Sequence, residues 1–249
     1  MPIHDTSTRH GPQPVLFRDF ARLCNGIYSS QTNPLANGFS LTGGVDRRAS
    51  GFQGGLYHGG QNWVLAIAGT QVKQDLGVDA IADAGFGQAA FGAGATAVFN
   101  PLFGGLASAV SVSVLEQQCQ AAAEMVARAR QLMRTLDNLY IAGHSLGGGV
   151  AQIVSARTGV PAVAISSPAV TGVDGVSAAW ARSHSPIVCL RVRHDPVNQT
   201  HLLGDLLGRV VTLESNRRGL DAHSIEATAA ELSAQGAFSG LGARNPFTV

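Results

Sequence analysis

The chain has 249 residues, of which 45% are hydrophobic and only 13% charged. That balance excludes a disordered chain, and one core at this length buries roughly 70% or more of the unfolded surface without a metal or disulfide staple. Its 17 Lys and Arg offset 16 Asp and Glu to leave a formal charge of +1, which excludes the basic footprint of a nucleic-acid binder, while the sparse charge predicts an unusually apolar exposed or membrane-facing surface.

In chain order, residues 1–13 are polar and lack the apolar stretch of a secretory signal. The expectation is a chain that is cytoplasmic as made or exported by a signal-independent route. From Pro14 to Ser29, Leu16, Phe20, Leu23 and Ile27 recur at three- and four-residue steps and predict an amphipathic helix covering a sheet. Two apolar runs, Phe52 to Tyr57 and Trp63 to Ala68, flank the turn-forming His58-Gly59-Gly60-Gln61 and read as a hairpin. A long helix is expected before Leu139, with Leu115, Cys119, Ala122, Val126, Ala129, Met133 and Leu136 on one stripe. The runs Leu139 to Ala142, Pro161 to Ser166 and Ile187 to Val192 are too short for helices and alternate with helical patterns. That alternation predicts an α/β chain with parallel strands and crossover helices. No repeat or linker divides it, so residues 1–249 are read as one domain. Cys24, Cys119 and Cys189 lack metal-ligand spacing and are expected to be core thiols.

Between Asp83 and Glu116 there is no charged residue. The length would reach across a bilayer, but Gly85, Gly87, Gly92, Gly94, Gly104 and Gly105 weaken any helix and Asn100-Pro101 interrupts it. Residues 84–115 are therefore read as an insertion, either a buried helical hairpin or an apolar flap over a pocket that meets lipid with its inner face. Just before it, Asp75, Asp79 and Asp83 step by four along a helical face. A calcium ladder needs partners that are not visible, so a solvated face is the better reading and no metal is expected.

The chemistry centres on Gly143-His144-Ser145-Leu146-Gly147, a G-x-S-x-G match. Alone it is weak in so glycine-rich a chain, where an ordinary turn could produce it. Its context narrows the reading: Leu139-Tyr140-Ile141-Ala142 leads in like a strand, and Val150, Ile153 and Val154 lead out like a helix that stops near Gly159. Such a strand-to-helix turn holds the central residue in strained backbone angles and projects the Ser145 hydroxyl from the sheet's carboxyl edge. There the Leu146 N–H, at a helix N-terminus, can stabilise an oxyanion. A second donor is expected after an earlier strand, where Gly69-Thr70 follows Trp63 to Ala68.

A serine nucleophile needs a base, and the base an orienting acid, in the chain order Ser, Asp or Glu, His. Asp195 follows the strand-like Ile187 to Val192, and Pro196 turns the chain beside it. Asp174, in a Gly-rich loop, and Asp205, in a Leu-rich helix-like run, suit solvated or capping roles better, and Asp221 is read as a helix cap. His223 lies in the loop after Val210 to Leu213 and opens the helical pattern of Ile225 to Leu232, as a base must be presented. His201 is the runner-up, and His184 and His194 are expected at the surface.

Together, Ile67-Ala68-Gly69-Thr70, Ile141 to Gly148, Ile165-Ser166-Ser167-Pro168, Arg193-His194-Asp195-Pro196-Val197 and the late His223 resemble the class 3 lipases from Phe52 to about Leu232. The resemblance implies an α/β-hydrolase fold with a mostly parallel central sheet flanked by helices and a lid. It implies cofactor-free hydrolysis of ester bonds in acylglycerols or phospholipids. It also places Ser145, Asp195 and His223 at the triad positions and Thr70 and Leu146 at the oxyanion hole. The family usually carries an aromatic and a basic residue where Ile67 and Ala68 stand, and a Gly and an Arg where Ser166 and Ala169 stand. Two other expectations use the same residues: a membrane-attacking effector with a dedicated inhibitor protein, and a catalytically inactive module that docks on lipid or a partner.

Overall fold

A computed structural model describes residues 13–29, 38–69, 104–199 and 204–248, with the backbone alone for 104–112. The described elements, in chain order, are α1 (Phe17–Ser29), β1 (Ser40–Arg47), β2 (Gln53–Gly59), β3 (Asn62–Ile67), α2 (Gly104–Leu132), β4 (Asn138–His144) and α3 (Leu146–Thr158). They continue as β5 (Ala162–Ile165), α4 (Val176–Ser183), β6 (Ile187–Val192), β7 (Arg209–Leu213), α5 (Gly219–His223), α6 (Ile225–Glu231) and α7 (Ser239–Gly242).

The strands form one seven-stranded sheet in the order β1-β2-β3-β4-β5-β6-β7. β1 to β3 pair antiparallel, and β3 to β7 pair parallel. The hairpin pairs as far as Gly59 with Asn62, so Gly60-Gln61 makes a two-residue turn with Gly60 at φ 61°. β1 was not foreseen. Its register slips between Thr42 and Val45, where Gly43 and Gly44 have φ of 74° and 83°, so its hydrophobic alternation is broken by a bulge.

The inner strands β3 and β5 are buried along their whole length because both faces are covered. Leu65, Ile67, Ile141, Ala162, Ala164 and Cys189 face a core shared with α2 and α3. Their neighbours Val64, Ala66, Ala142, Val163, Ile165 and Leu190 face a second core with α1 and α6. Each large aliphatic side chain buried there contributes about 1.5–3 kcal/mol. Most apolar residues of the described elements thus lie on two inner faces, and the large hydrophobics exposed among the described residues are Leu132, Leu136, Val210 and Leu220.

α1 buries Phe17, Phe20, Leu23, Cys24 and Ile27, and the Leu16 N–H donates to the Asp19 carboxylate at 2.9 Å to close its first turn. α2 starts at Gly104, ahead of the expected stripe, and ends at Leu132, so Leu136 lies beyond it and is 74% exposed. The expected insertion at 84–115 lies outside the described residues up to residue 103, and its remainder is the start of this helix. No described helix is long and apolar enough to cross a membrane. All three cysteines are free and buried, and burial pushes the Cys119 and Cys189 thiols up to about 12, as expected of inert core groups.

Candidate active site

β4 passes directly into α3 through Ser145, whose backbone sits at φ 57°, ψ −130°. A non-glycine residue there is strained by about 1–3 kcal/mol, and the surroundings enforce it. The Ser145 N–H donates to the Ile165 carbonyl on β5 (3.1 Å), while its own carbonyl accepts from the Gly148 and Gly149 N–H groups. The two flanking glycines are required by contact. A Cβ on Gly143 would lie 2.0 Å from the Gly147 oxygen, and one on Gly147 would lie 2.5 Å from the Ile67 oxygen. The turn is closed against the end of β3 by a third glycine, since a Cβ on Gly69 would lie 2.5 Å from that of Ser145 and 3.1 Å from the Leu146 nitrogen.

Three side chains meet at this edge. The Ser145 hydroxyl is 2.9 Å from His223 Nε2, and His223 Nδ1 is 3.0 Å from each carboxylate oxygen of Asp195. Asp195 follows the end of β6, where its Oδ1 accepts from the Val197 N–H (2.9 Å). His223 is the last residue of the short helix α5 rather than a loop residue. Exposure of the three is 3% for Ser145, 0% for Asp195 and 8% for His223, so their charges interact in a poorly screened setting. With a carboxylate at Nδ1, the Nδ1–H tautomer is favoured and Nε2 is left to accept the serine proton. Leu146 is the first residue of α3, so its N–H has no carbonyl one turn back to bond and is available to an anion beside Ser145.

The competing residues fall elsewhere. Asp174, Asp205 and Asp221 are exposed, and His184 is exposed too. Asp205 lies outside any helix, and its carbonyl accepts from the Val170 and Thr171 N–H groups. Asp221 does not cap α6; Ser224 does, accepting from the Ala227 N–H. Thr70, His201 and the Asp75, Asp79, Asp83 ladder lie outside the described residues. Among the described residues no group of three or more His, Cys, Asp or Glu side chains is placed to hold a metal.

Sequence reasoning passed over Gln152, Tyr28 and His144. Gln152 is fully buried on α3; its amide donates to Ser167 Oγ (3.0 Å) and the Pro168 carbonyl (3.1 Å) and accepts from the Leu207 N–H (2.9 Å). It thereby ties two loops to the helix that carries the elbow. A lone amide inside the apolar run Val150 to Val154 was the available signal. His144 is buried, with its ring centroid 4.8 Å from that of His223. Burial, and secondarily the positive charge that His223 can carry, hold it well below the usual histidine range, so it is neutral at ordinary pH.

No protein-family model matches the chain. The chain is 27% identical over 222 residues to the extracellular phospholipase A1 of Serratia liquefaciens, a match covering 77% of this chain and 56% of that protein. Among solved structures it is similar to the lipase from Rhizopus microsporus var. chinensis, with a TM-score of 0.55, 12% identity, and coverage of 88% of this chain and 83% of that one. The likeness to that lipase is one of fold. The chain has the α/β-hydrolase fold, with the mostly parallel sheet flanked by helices that the class 3 lipase resemblance implies.

Proposed function

We propose that the chain is a serine hydrolase that cleaves carboxylic ester bonds of acylglycerols or phospholipids. The observation that carries this reading is the contact of Ser145 with His223, and of His223 with Asp195, at a strained strand-to-helix turn. His223 takes the proton of Ser145 as the oxygen attacks the ester carbonyl; Asp195 holds the imidazole tautomer and balances its positive charge. The Leu146 N–H, joined by that of Thr70, receives the negative charge on the carbonyl oxygen. His223 then passes its proton to the departing alcohol, and a water molecule activated by the same imidazole releases the fatty acid from Ser145. The name of the Serratia relative favours a phospholipid among the esters and a site of action outside the cell that makes the chain.

Replacing Ser145 with Ala tests the reading. Turnover of a short p-nitrophenyl ester and of phosphatidylcholine vesicles is expected to fall by several orders of magnitude with the melting temperature little changed. Parent-like turnover in that variant overturns it. Covalent labelling of the parent by a fluorophosphonate, absent in the variant, excludes an inactive docking module.

A further inference from the structure

The environment of His144 contains more order than packing requires. Its Nε2 lies 2.8 Å from the backbone carbonyl of His223, and its Nδ1 lies 2.8 Å from the Tyr28 hydroxyl, which in turn is 2.7 Å from the Gly69 nitrogen. One arrangement of hydrogens satisfies all of these. A carbonyl only accepts, so His144 Nε2 carries the proton and Nδ1 is bare. The bare Nδ1 needs a donor, which is the Tyr28 O–H, and a lone pair of that hydroxyl then accepts the Gly69 N–H.

We propose that Tyr28 and His144 are positioning residues of the ester hydrolase, forming a one-way chain of hydrogen bonds that fixes the end of β3 and the backbone of the base relative to the nucleophile. The inference rests on the function proposed above and adds two residues to it. The chain joins four separate segments: α1, the residue before Thr70, the elbow, and α5 with His223. It carries no proton to the reaction, because it ends on a carbonyl. It also commits the Gly69 N–H to Tyr28, which withholds that N–H from the oxyanion. Neutral His144 is part of the design, since a proton on Nδ1 would face the Tyr28 hydroxyl and turn it round. Groups held to within a fraction of an ångström react fast, and a misplacement of about 1 Å costs about 100-fold.

The test compares Tyr28→Phe, His144→Leu, His144→Gln and the Tyr28→Phe, His144→Leu pair with the parent and with Ser145→Ala. Turnover of a short p-nitrophenyl ester and thermal unfolding are measured for each. Tyr28→Phe removes one oxygen and keeps a ring edge-on to His144, at 5.8 Å and 70°, so folding is preserved. It is expected to lower kcat about 10- to 100-fold with KM within about twofold. His144→Gln, which still offers a donor and an acceptor, is expected to retain several-fold more activity than His144→Leu. The double variant should be no slower than His144→Leu alone, because one chain is broken once. Parent-like kcat in Tyr28→Phe and His144→Leu, or losses that multiply in the pair, overturns the relay when Ser145→Ala is dead. Parent-like turnover in Ser145→Ala overturns the hydrolase reading itself.

Discussion

Replacing Asp195 with Asn removes one charge and changes almost no volume, which isolates the electrostatic part of the site. Both carboxylate oxygens lie 3.0 Å from His223 Nδ1, and the side chain is fully buried. With an effective dielectric of about 20, a carboxylate and an imidazolium at that separation attract by about 5 kcal/mol. The imidazole is neutral before attack and positive in the transition state, so this attraction acts mainly on the barrier. At 1.36 kcal/mol per decade it corresponds to a loss of about 10,000-fold in kcat. The amide adds a second fault. The Val197 N–H needs an acceptor at the Oδ1 position, which puts the amide nitrogen at the Oδ2 position and replaces one of the two acceptors beside His223 Nδ1 with a donor. The assay is turnover of a short p-nitrophenyl ester beside the rate of fluorophosphonate labelling, with thermal unfolding as the control for folding. Both rates should fall together. A loss smaller than tenfold in a folded variant refutes the assignment of Asp195 as the partner of the base.

Three further outcomes follow from geometry already given. Ser145→Gly relieves the backbone at φ 57°, and after the entropic cost of glycine it should gain about 1 kcal/mol, seen as a rise of about 2–4 °C in melting temperature; no rise would show that the turn is not strained. Gly147→Ala drives a Cβ to 2.5 Å from the Ile67 oxygen and 2.6 Å from the Ala68 oxygen. It should destabilise by about 1–3 kcal/mol and slow the ester assay more than tenfold, and a parent-like protein would contradict the close contact. His144 takes up its proton near pH 6.5 when unfolded and only well below that when folded. Between those values the unfolded chain binds more protons, so the stability held in neutral His144 is complete above about pH 6.5 and is lost as pH falls, by at most about 1.36 kcal/mol per pH unit. His144→Gln should therefore flatten the fall of melting temperature between pH 6.5 and 5, and an unchanged slope would count against a buried neutral imidazole.

What could be read from the sequence was local. Ile187 to Val192 coincides with β6, and Asn62–Ile67 falls within a residue of the expected run, because inner strands covered on both faces are nearly continuous in hydrophobicity. Gly159, at φ 75°, ends α3 where the helix was expected to stop. β1 was illegible because its two glycines break the period of two. The start of α2 was hidden by glycine and alanine, which carry little periodic signal, and Leu136 continued the stripe past the last turn. Ser224, rather than Asp221, caps α6, and a serine directly before Ile225 is an ordinary start signal. His144 and Tyr28 could not be found locally. They are 116 residues apart, and each looks unremarkable in its own segment: one as a filler in the elbow, the other as the residue after the last apolar position of a helix.

The order of the sheet has a consequence for biosynthesis. Strands that lie side by side in the order they are translated can be laid down one after another, each on the edge left by the last. Ser145, the proposed nucleophile, is thus translated long before His223, its proposed base. Helix α1 waits as well, for Phe17 bonds to the Arg244 carbonyl and Phe20 packs edge-on against Phe247. In the proposed hydrolase, Ser145 therefore gains its base only once the segment carrying His223 is made, shortly before the residues that pack on α1.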